Sequence, residues 1–214
     1  MDLTKQPTVE RRHSSTYGLN DRVEVRTDEA TGKKVVRGWA AVYNSWSNDL
    51  GGFVERIAPG FFDKVLSASM DVRALFNHDP NYVLARTVSG TLRIGTDAKG
   101  LWYEYDDPDT TFSRDLLTLM QRGDISQSSF AFSLADNGDK WEKQNGQWTR
   151  TLLEASGLYD VSPVTYPAYE DTTVAMRSMQ TAEKVNPEEQ RKLMEEALAD
   201  LFEAEQDLMK LQLQ

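Results

Sequence analysis

Ile125-Ser126-Gln127-Ser128-Ser129-Phe130-Ala131-Phe132-Ser133-Leu134 reads as a buried strand into which serines have been set. Alternation with a period of two puts Phe130, Phe132 and Leu134 on one face with Ser126 and Ser128, and Gln127, Ser129 and Ala131 on the other. If the phenylalanines face a core, Ser129 faces outward. A serine on an outer sheet face is ordinarily a solvated residue or a cross-strand hydrogen-bonder, so the position gains meaning only from its neighbours. A β-bulge within the run would exchange the parity and put Ser128 in its place. Similar runs recur at 35–43, 72–76, 101–105, 148–153 and 158–164, separated by Gly, Asn, Asp and Pro. Together they predict a β-dominated domain over 21–179. Two helices interrupt it, one near 61–68 and one near 113–122. In the second, Phe112, Leu116, Leu117 and Met120 share a face ahead of Gly123 at a C′ position. The class is α+β, around a barrel or a strongly bent sheet.

The two ends read differently. Residues 1–20 are polar, include Pro7, Ser14, Ser15 and Gly18, and show no apolar period, so a disordered arm is expected there. At 180–214 a linker leads to Asn186-Pro187-Glu188-Glu189, which supplies an N-cap, a proline at N1 and acids in the first turn. A helix is expected from about 186. Met194, Ala197, Leu201, Ala204, Leu208 and Leu211 recur at alternating spacings of 3 and 4, a heptad-like stripe. Residues 183–214 carry nine acids against four bases, half of the chain's net charge of -10. This is an acidic amphipathic helix, suited either to self-association or to packing on its own domain.

Composition removes many chemistries. The 214 residues include no cysteine and two histidines, which excludes disulfide frameworks, Cys-ligated zinc, c-type haem and thiol nucleophiles. No run approaches the roughly 18 to 20 apolar residues of a membrane span, and the first 20 residues lack the apolar core of a signal peptide, so neither a membrane nor export is expected. The sequence pI is about 4.8, and no dense Lys/Arg run offers a surface for nucleic acid. Trp39, Trp46, Trp102 and Trp148 read as packing residues rather than a ligand cage.

Three positions can carry chemistry together. His13 lies in the arm beside Arg11 and Arg12, so an imidazole mechanism must use His78, in Phe76-Asn77-His78-Asp79-Pro80 at a strand end. Asp160 is an acid within the apolar strand 158–164 and needs a compensating hydrogen bond or charge, which a histidine would supply. Glu154 is the competing acid, with the simpler reading that it marks a polar strand face. A serine hydrolase needs a nucleophile, a base and a group orienting the base, and His78, Ser129 and Asp160 form such a set, with Ser128 as alternate nucleophile. Neither G-x-S-x-G nor S-x-x-K is present, so the α/β-hydrolase and Ser-Lys designs are not indicated.

Several blocks in order then carry a resemblance: Gly38-Trp39-Ala40-Ala41-Val42-Tyr43-Asn44, Gly52-Phe53 with Ile57-Ala58-Pro59-Gly60, Asp71-Val72-Arg73-Ala74-Leu75-Phe76-Asn77-His78-Asp79, Arg86-Thr87 with Ser89-Gly90-Thr91-Leu92, and Asp160-Val161-Ser162-Pro163-Val164-Thr165-Tyr166-Pro167-Ala168-Tyr169. Over 37–178 the chain resembles the tailed-phage prohead (capsid maturation) serine proteases, distantly related to herpesvirus assemblin. The resemblance implies a β-barrel-centred protease domain with flanking helices, His78 as general base and Ser129 as nucleophile. Asp160 falls where the assemblin strand bears a second catalytic histidine. Assemblin follows that strand with a pair of arginines supporting the oxyanion, whereas 163–172 contains none. Arg86 and Arg177 are candidates for that role, as is the Phe130 backbone N–H with a water.

The resemblance also implies a serine endopeptidase without metal or cofactor. Its substrate would be the scaffolding domain of the major capsid protein or a separate scaffold, and itself, inside the prohead in the host cytoplasm. The polar arm and the acidic helix would then serve delivery or self-cleavage. Two other readings stand beside it. One is a non-catalytic assembly module that binds capsid protein and oligomerises through the C-terminal helix. The other is a cation-binding domain using Asp106, Asp107 and Asp109, against which stand the missing EF-hand glycine and glutamate, and the habit of acids to cap a following helix.

Overall fold

The computed structural model describes residues 8–13 and 23–165. Residues 1–175 form one compact unit and 176–214 a second. The expected C-terminal helix lies outside the described residues.

The described chain is mostly strand, with two helices. Hydrogen bonding groups the strands into three sheets. The first sheet carries the site and holds β1 (Glu10–His13), β9 (Gln127–Leu134), β12 (Ala155–Val164), β5 (Arg73–Phe76) and β6 (Asp79–Arg86), in that order. The second has the order β2 (Glu24–Thr27), β3 (Lys34–Val42), β8 (Gly100–Asp106), β7 (Leu92–Thr96). The third has the order β10 (Asp139–Gln144), β11 (Gln147–Leu152), β4 (Phe53–Ile57). The helices are α1 (Asp63–Ser67) and α2 (Thr111–Arg122).

Strand β9 is buried on both faces, which is why its sequence mixes bulky and small residues. Phe130 and Phe132 are fully buried. Phe61 meets Phe132 edge-on at 5.4 Å and Phe62 meets Phe130 at 5.3 Å, fastening the entry of α1 to the strand. Each such ring contributes about 1.5 to 3 kcal/mol by burial. Ser128 shares their face, and its hydroxyl pairs with the buried Tyr103 hydroxyl at 2.8 Å. Tyr103 lies so close over β3 that a Cβ at Gly38 would come within 2.7 Å of its ring. Burial pushes the Tyr103 phenol above its ordinary range, so it stays neutral.

Helix α2 closes the other end of the core with Leu116, Leu117 and Met120. Its cap is Thr110, whose hydroxyl accepts from the Ser113 N–H while Ser113 reaches back to the Thr110 N–H. The acids ahead of the helix do not cap it: Asp106 pairs with Arg93 and Asp109 with Arg114. Gly123 ends the helix at φ 85°, a left-handed conformation that glycine adopts without a Cβ penalty.

One expectation is overturned within the first 20 residues. Glu10–His13 is not disordered but forms the edge strand β1, antiparallel to β9 with Arg12 opposite Phe130 and His13 opposite Ser129. Its stabilisation comes from charges far along the chain, not from a local apolar period. Arg12 pairs with Glu55 at 2.6 Å and Glu10 with Arg150 at 2.8 Å.

Candidate active site

Strands β9 and β12 run antiparallel at the centre of the site sheet, with Ser162 opposite Ser129 and Asp160 opposite Ala131. Leu158 is opposite Phe132 and faces the core, so strict alternation would send Asp160 into the core as well. It does not, because β12 carries a bulge between Leu158 and Asp160. The extra residue, Tyr159, reverses the parity, and Asp160 and Ser162 emerge on the face shared with Ser129. The bulge therefore falls in the partner strand, and β9 keeps the alternation that separates Ser129 from Ser128.

His78 arrives from β5 and β6, which are joined by a two-residue turn, Asn77-His78, with Phe76 opposite Asp79. Both turn residues have positive φ, 53° and 58°. That matches the requirement of a type I′ hairpin, and for a histidine it is an uncommon conformation which its surroundings must hold. They do so through β12. The Asn77 N–H donates to the Pro163 carbonyl at 3.1 Å, the Asn77 side-chain oxygen accepts from the Thr165 N–H at 2.8 Å, and the His78 N–H donates to the Ser162 hydroxyl at 3.3 Å.

The three side chains singled out in the sequence meet. His78 Nδ1 lies 2.6 Å from Asp160 Oδ1, and His78 Nε2 lies 2.7 Å from Ser129 Oγ. Ser162 donates a further hydrogen bond to Asp160 Oδ1 at 2.8 Å. Asp160 is only 7% exposed, so with two donors on one oxygen its carboxylate meets the condition for burying an acid. An Nδ1–H donated to Asp160 leaves the Nε2 lone pair aimed at the serine hydroxyl, the tautomer a general base requires.

The other candidates lie elsewhere. Ser128 faces the core against Tyr103. Glu154 reaches out to Lys64 at 2.6 Å, and Arg86 is held in a two-point pair by Asp71 at 2.6 and 2.7 Å. Arg177 lies outside the described residues. Phe130 sits within the ladder between Arg12 and Val161. Among the described residues there is no cluster of three or more metal-ligating side chains, and no helix long and apolar enough to cross a membrane.

Two features escape sequence reasoning. Ser129 does not face solvent but is completely buried, because β1 and β12 flank its strand and His78 covers its hydroxyl. Behind β1 lies a group of buried charges: Glu10, Arg12, Glu55 and Arg150, with Asp139 2.7 Å from Arg150. Burial alone would raise the Glu10 carboxyl, but hydrogen bonding from Arg150 and the charges of Arg12 and Arg150 hold it below the usual carboxylate range. Burial likewise opposes the charge of Arg150, while Glu55, Glu10 and Asp139 push its basicity above normal. Glu10-Arg11-Arg12 is charged at every position, but nothing local connects it to Glu55 or Arg150.

The chain matches, over residues 21–186, the family described as Caudovirus prohead serine protease. Among solved structures it is similar to the bacteriophage T4 capsid assembly protease, gp21, at 11% identity and a TM-score of 0.43, covering 75% of this chain and 99% of that one. No curated protein matches it.

Proposed function

The chain belongs to the caudovirus prohead serine proteases, and from that premise we propose that Ser129 is its nucleophile, His78 its general base and Asp160 the acid that orients and stabilises the imidazolium. The protein is a serine endopeptidase of capsid maturation, acting inside the procapsid. The observation that carries the residue assignment is the unbroken hydrogen-bonded line Asp160–His78–Ser129, at 2.6 and 2.7 Å.

Ser129 Oγ adds to the scissile carbonyl as His78 Nε2 takes its proton. Positive charge develops on the imidazole beside Asp160, whose carboxylate is already fixed by Ser162, so little reorganisation accompanies the step. His78 then returns the proton to the leaving amine, and water hydrolyses the acyl-enzyme by the reverse path. The Phe130 N–H is the proposed oxyanion donor. The three sheets around one core are read as that family's barrel.

The substrate is the scaffolding domain of the major capsid protein, or a separate scaffold, together with the chain itself. Co-expression with the capsid protein, followed by intact mass, tests this. Defined peptides should be lost with wild type and Ser128→Ala, and retained with Ser129→Ala and His78→Ala. Unchanged masses within shells that close normally would overturn it.

A further inference from the structure

Strand β1 occupies the ground a substrate would need. Without it β9 would be the bare edge of its sheet, able to bind any extended peptide through backbone hydrogen bonds, with side-chain pockets supplying the selection. The register of β1 brings the Arg12 carbonyl oxygen to 2.9 Å from Ser129 Oγ. Ser129 has one hydroxyl proton and two acceptors in reach, that carbonyl and His78 Nε2. The carbonyl thus competes with the base for the proton the reaction must move.

The Glu10 and Arg12 side chains of β1 enter a pocket on the other face of β9. Arg12 Nε donates to Glu55 at 2.6 Å and Nη2 donates to Glu55 and Glu10 at 3.1 and 2.7 Å, with the guanidinium 5.8 Å from the Phe132 ring centre. Arg12 Nη1 donates to the Arg11 carbonyl at 2.8 Å. Glu10, two residues back on the same face, accepts from Arg150 at 2.8 and 3.1 Å. With β1 lifted away, the pocket keeps Arg150 against Glu55 and Asp139, one cation and two carboxylates. Buried ion pairs add little net stability, because desolvation offsets their attraction, but they do fix register. A one-residue slip of β1 would turn Glu10 and Arg12 to the wrong face, so the charges decide which carbonyl meets Ser129.

Resting on the assignment of Ser129 as nucleophile, we propose that Glu55 and Arg150 select extended segments of the form Glu-x-Arg for cleavage after the arginine, and that residues 10–13 are the first such segment, cut between Arg12 and His13. Ser129 Oγ bonds to the Arg12 carbonyl carbon while its proton passes to His78. The bond to the His13 nitrogen breaks as that nitrogen takes the proton from His78. Water then hydrolyses the Arg12 ester, leaving a free carboxylate and restoring the Ser129 hydroxyl. Two further Glu-x-Arg sequences occur in the chain, Glu24-Val25-Arg26 and Glu189-Gln190-Arg191. The first is locked in β2 between Glu24–Thr27 and its partner β3. The second follows the protease domain and is the next expected cut.

Intact mass over time on the full chain should show loss of residues 1–12, then a product ending at Arg191, with Ser129→Ala remaining whole. Specificity is read separately in the full chain carrying Arg12→Gln, using a peptide of residues 8–18 and its Arg12→Gln analogue. The arginine peptide should be cleaved about 100-fold faster or more, the scale of losing one partner of a buried charge pair. Adding Glu55→Gln should bring the two peptides within about tenfold of each other. Because this ratio is taken within one variant, it is insensitive to a partial loss of folded protein. A fluorophosphonate, which labels an activated serine without reading side chains, separates the failures. Labelling of Ser129 with no arginine preference, or with a preference that Glu55→Gln leaves intact, overturns this proposal and spares the nucleophile. Absence of labelling and of cleavage overturns both.

Discussion

Two polar constellations flank β9, and they are built on opposite terms. On one side His78, Ser129 and Asp160 form a line in which one proton moves and the charges are few. On the other, Glu10, Arg12, Glu55, Asp139 and Arg150 form a knot of buried charges with no proton transfer to perform. The line sits on a turn and on strands bent by a bulge, where backbone strain aims each group. The knot sits on regular strands and is held by ion pairs. The contrast follows from what each side must do, since chemistry needs groups poised to change state, whereas recognition needs groups that stay charged. Arg12 belongs to both, its carbonyl in the line and its guanidinium in the knot.

The comparison breaks most sharply if one member of the line is removed. Ser129→Ala should lower hydrolysis of a quenched peptide by at least about 10⁴-fold, and Asp160→Asn by a similar factor through the wrong His78 tautomer. Ser128→Ala should stay within about tenfold, since its hydroxyl pairs with Tyr103 on the core side of the strand, away from His78. The knot should respond in stability instead. Arg150→Met leaves the buried Glu10 and Glu55 with Arg12 alone as their cation and takes Asp139's partner away, and should cost about 3 to 5 kcal/mol in urea unfolding.

Acid should distinguish the two sides. Glu10 titrates below the usual range in the folded protein, so its contribution is present above about pH 4.5 and is lost as pH falls through its lowered value. Among Arg12 on its own strand, Glu55 on β4, Asp139 on β10 and Arg150 on β11, protonated Glu10 no longer binds Arg150 as an anion. Amides 10–13 should then exchange with deuterium faster than those of β9, whereas equal rates at low pH would show that backbone pairing alone holds the strand. A modest effect is expected at Ser162→Ala. Losing one of two donors to Asp160 should reduce turnover about tenfold while leaving KM unchanged.

Much of this is legible in the sequence, for local reasons. Strands β3, β5, β8, β9, β11 and β12 announce themselves by apolar alternation and turn residues, and α2 by its buried face and Gly123. His78 stands out because the only other histidine lies among arginines near the start of the chain, and Ser129 follows from the parity of β9. What escapes depends on partners distant in sequence. Four polar residues such as Glu10–His13 carry no strand signal until Glu55 and Arg150 fold up beneath them. The bulge at Tyr159, which turns Asp160 toward His78, is likewise invisible in a run that reads only as an apolar strand with an acid set in it. For the same reason Ser129 reads as exposed, since the strand that covers it has the composition of a disordered arm.

Strand β1 also has a protective role that follows from its place at the end of the sheet. Removing it uncovers a row of unpaired N–H and C=O groups along β9, the kind of open border through which one copy of a protein adds to the next and aggregates. The same border that admits a substrate would admit a neighbour. A chain that keeps residues 10–13 until its surroundings are filled with peptides to cut exposes that border only where productive occupants outnumber other copies of itself.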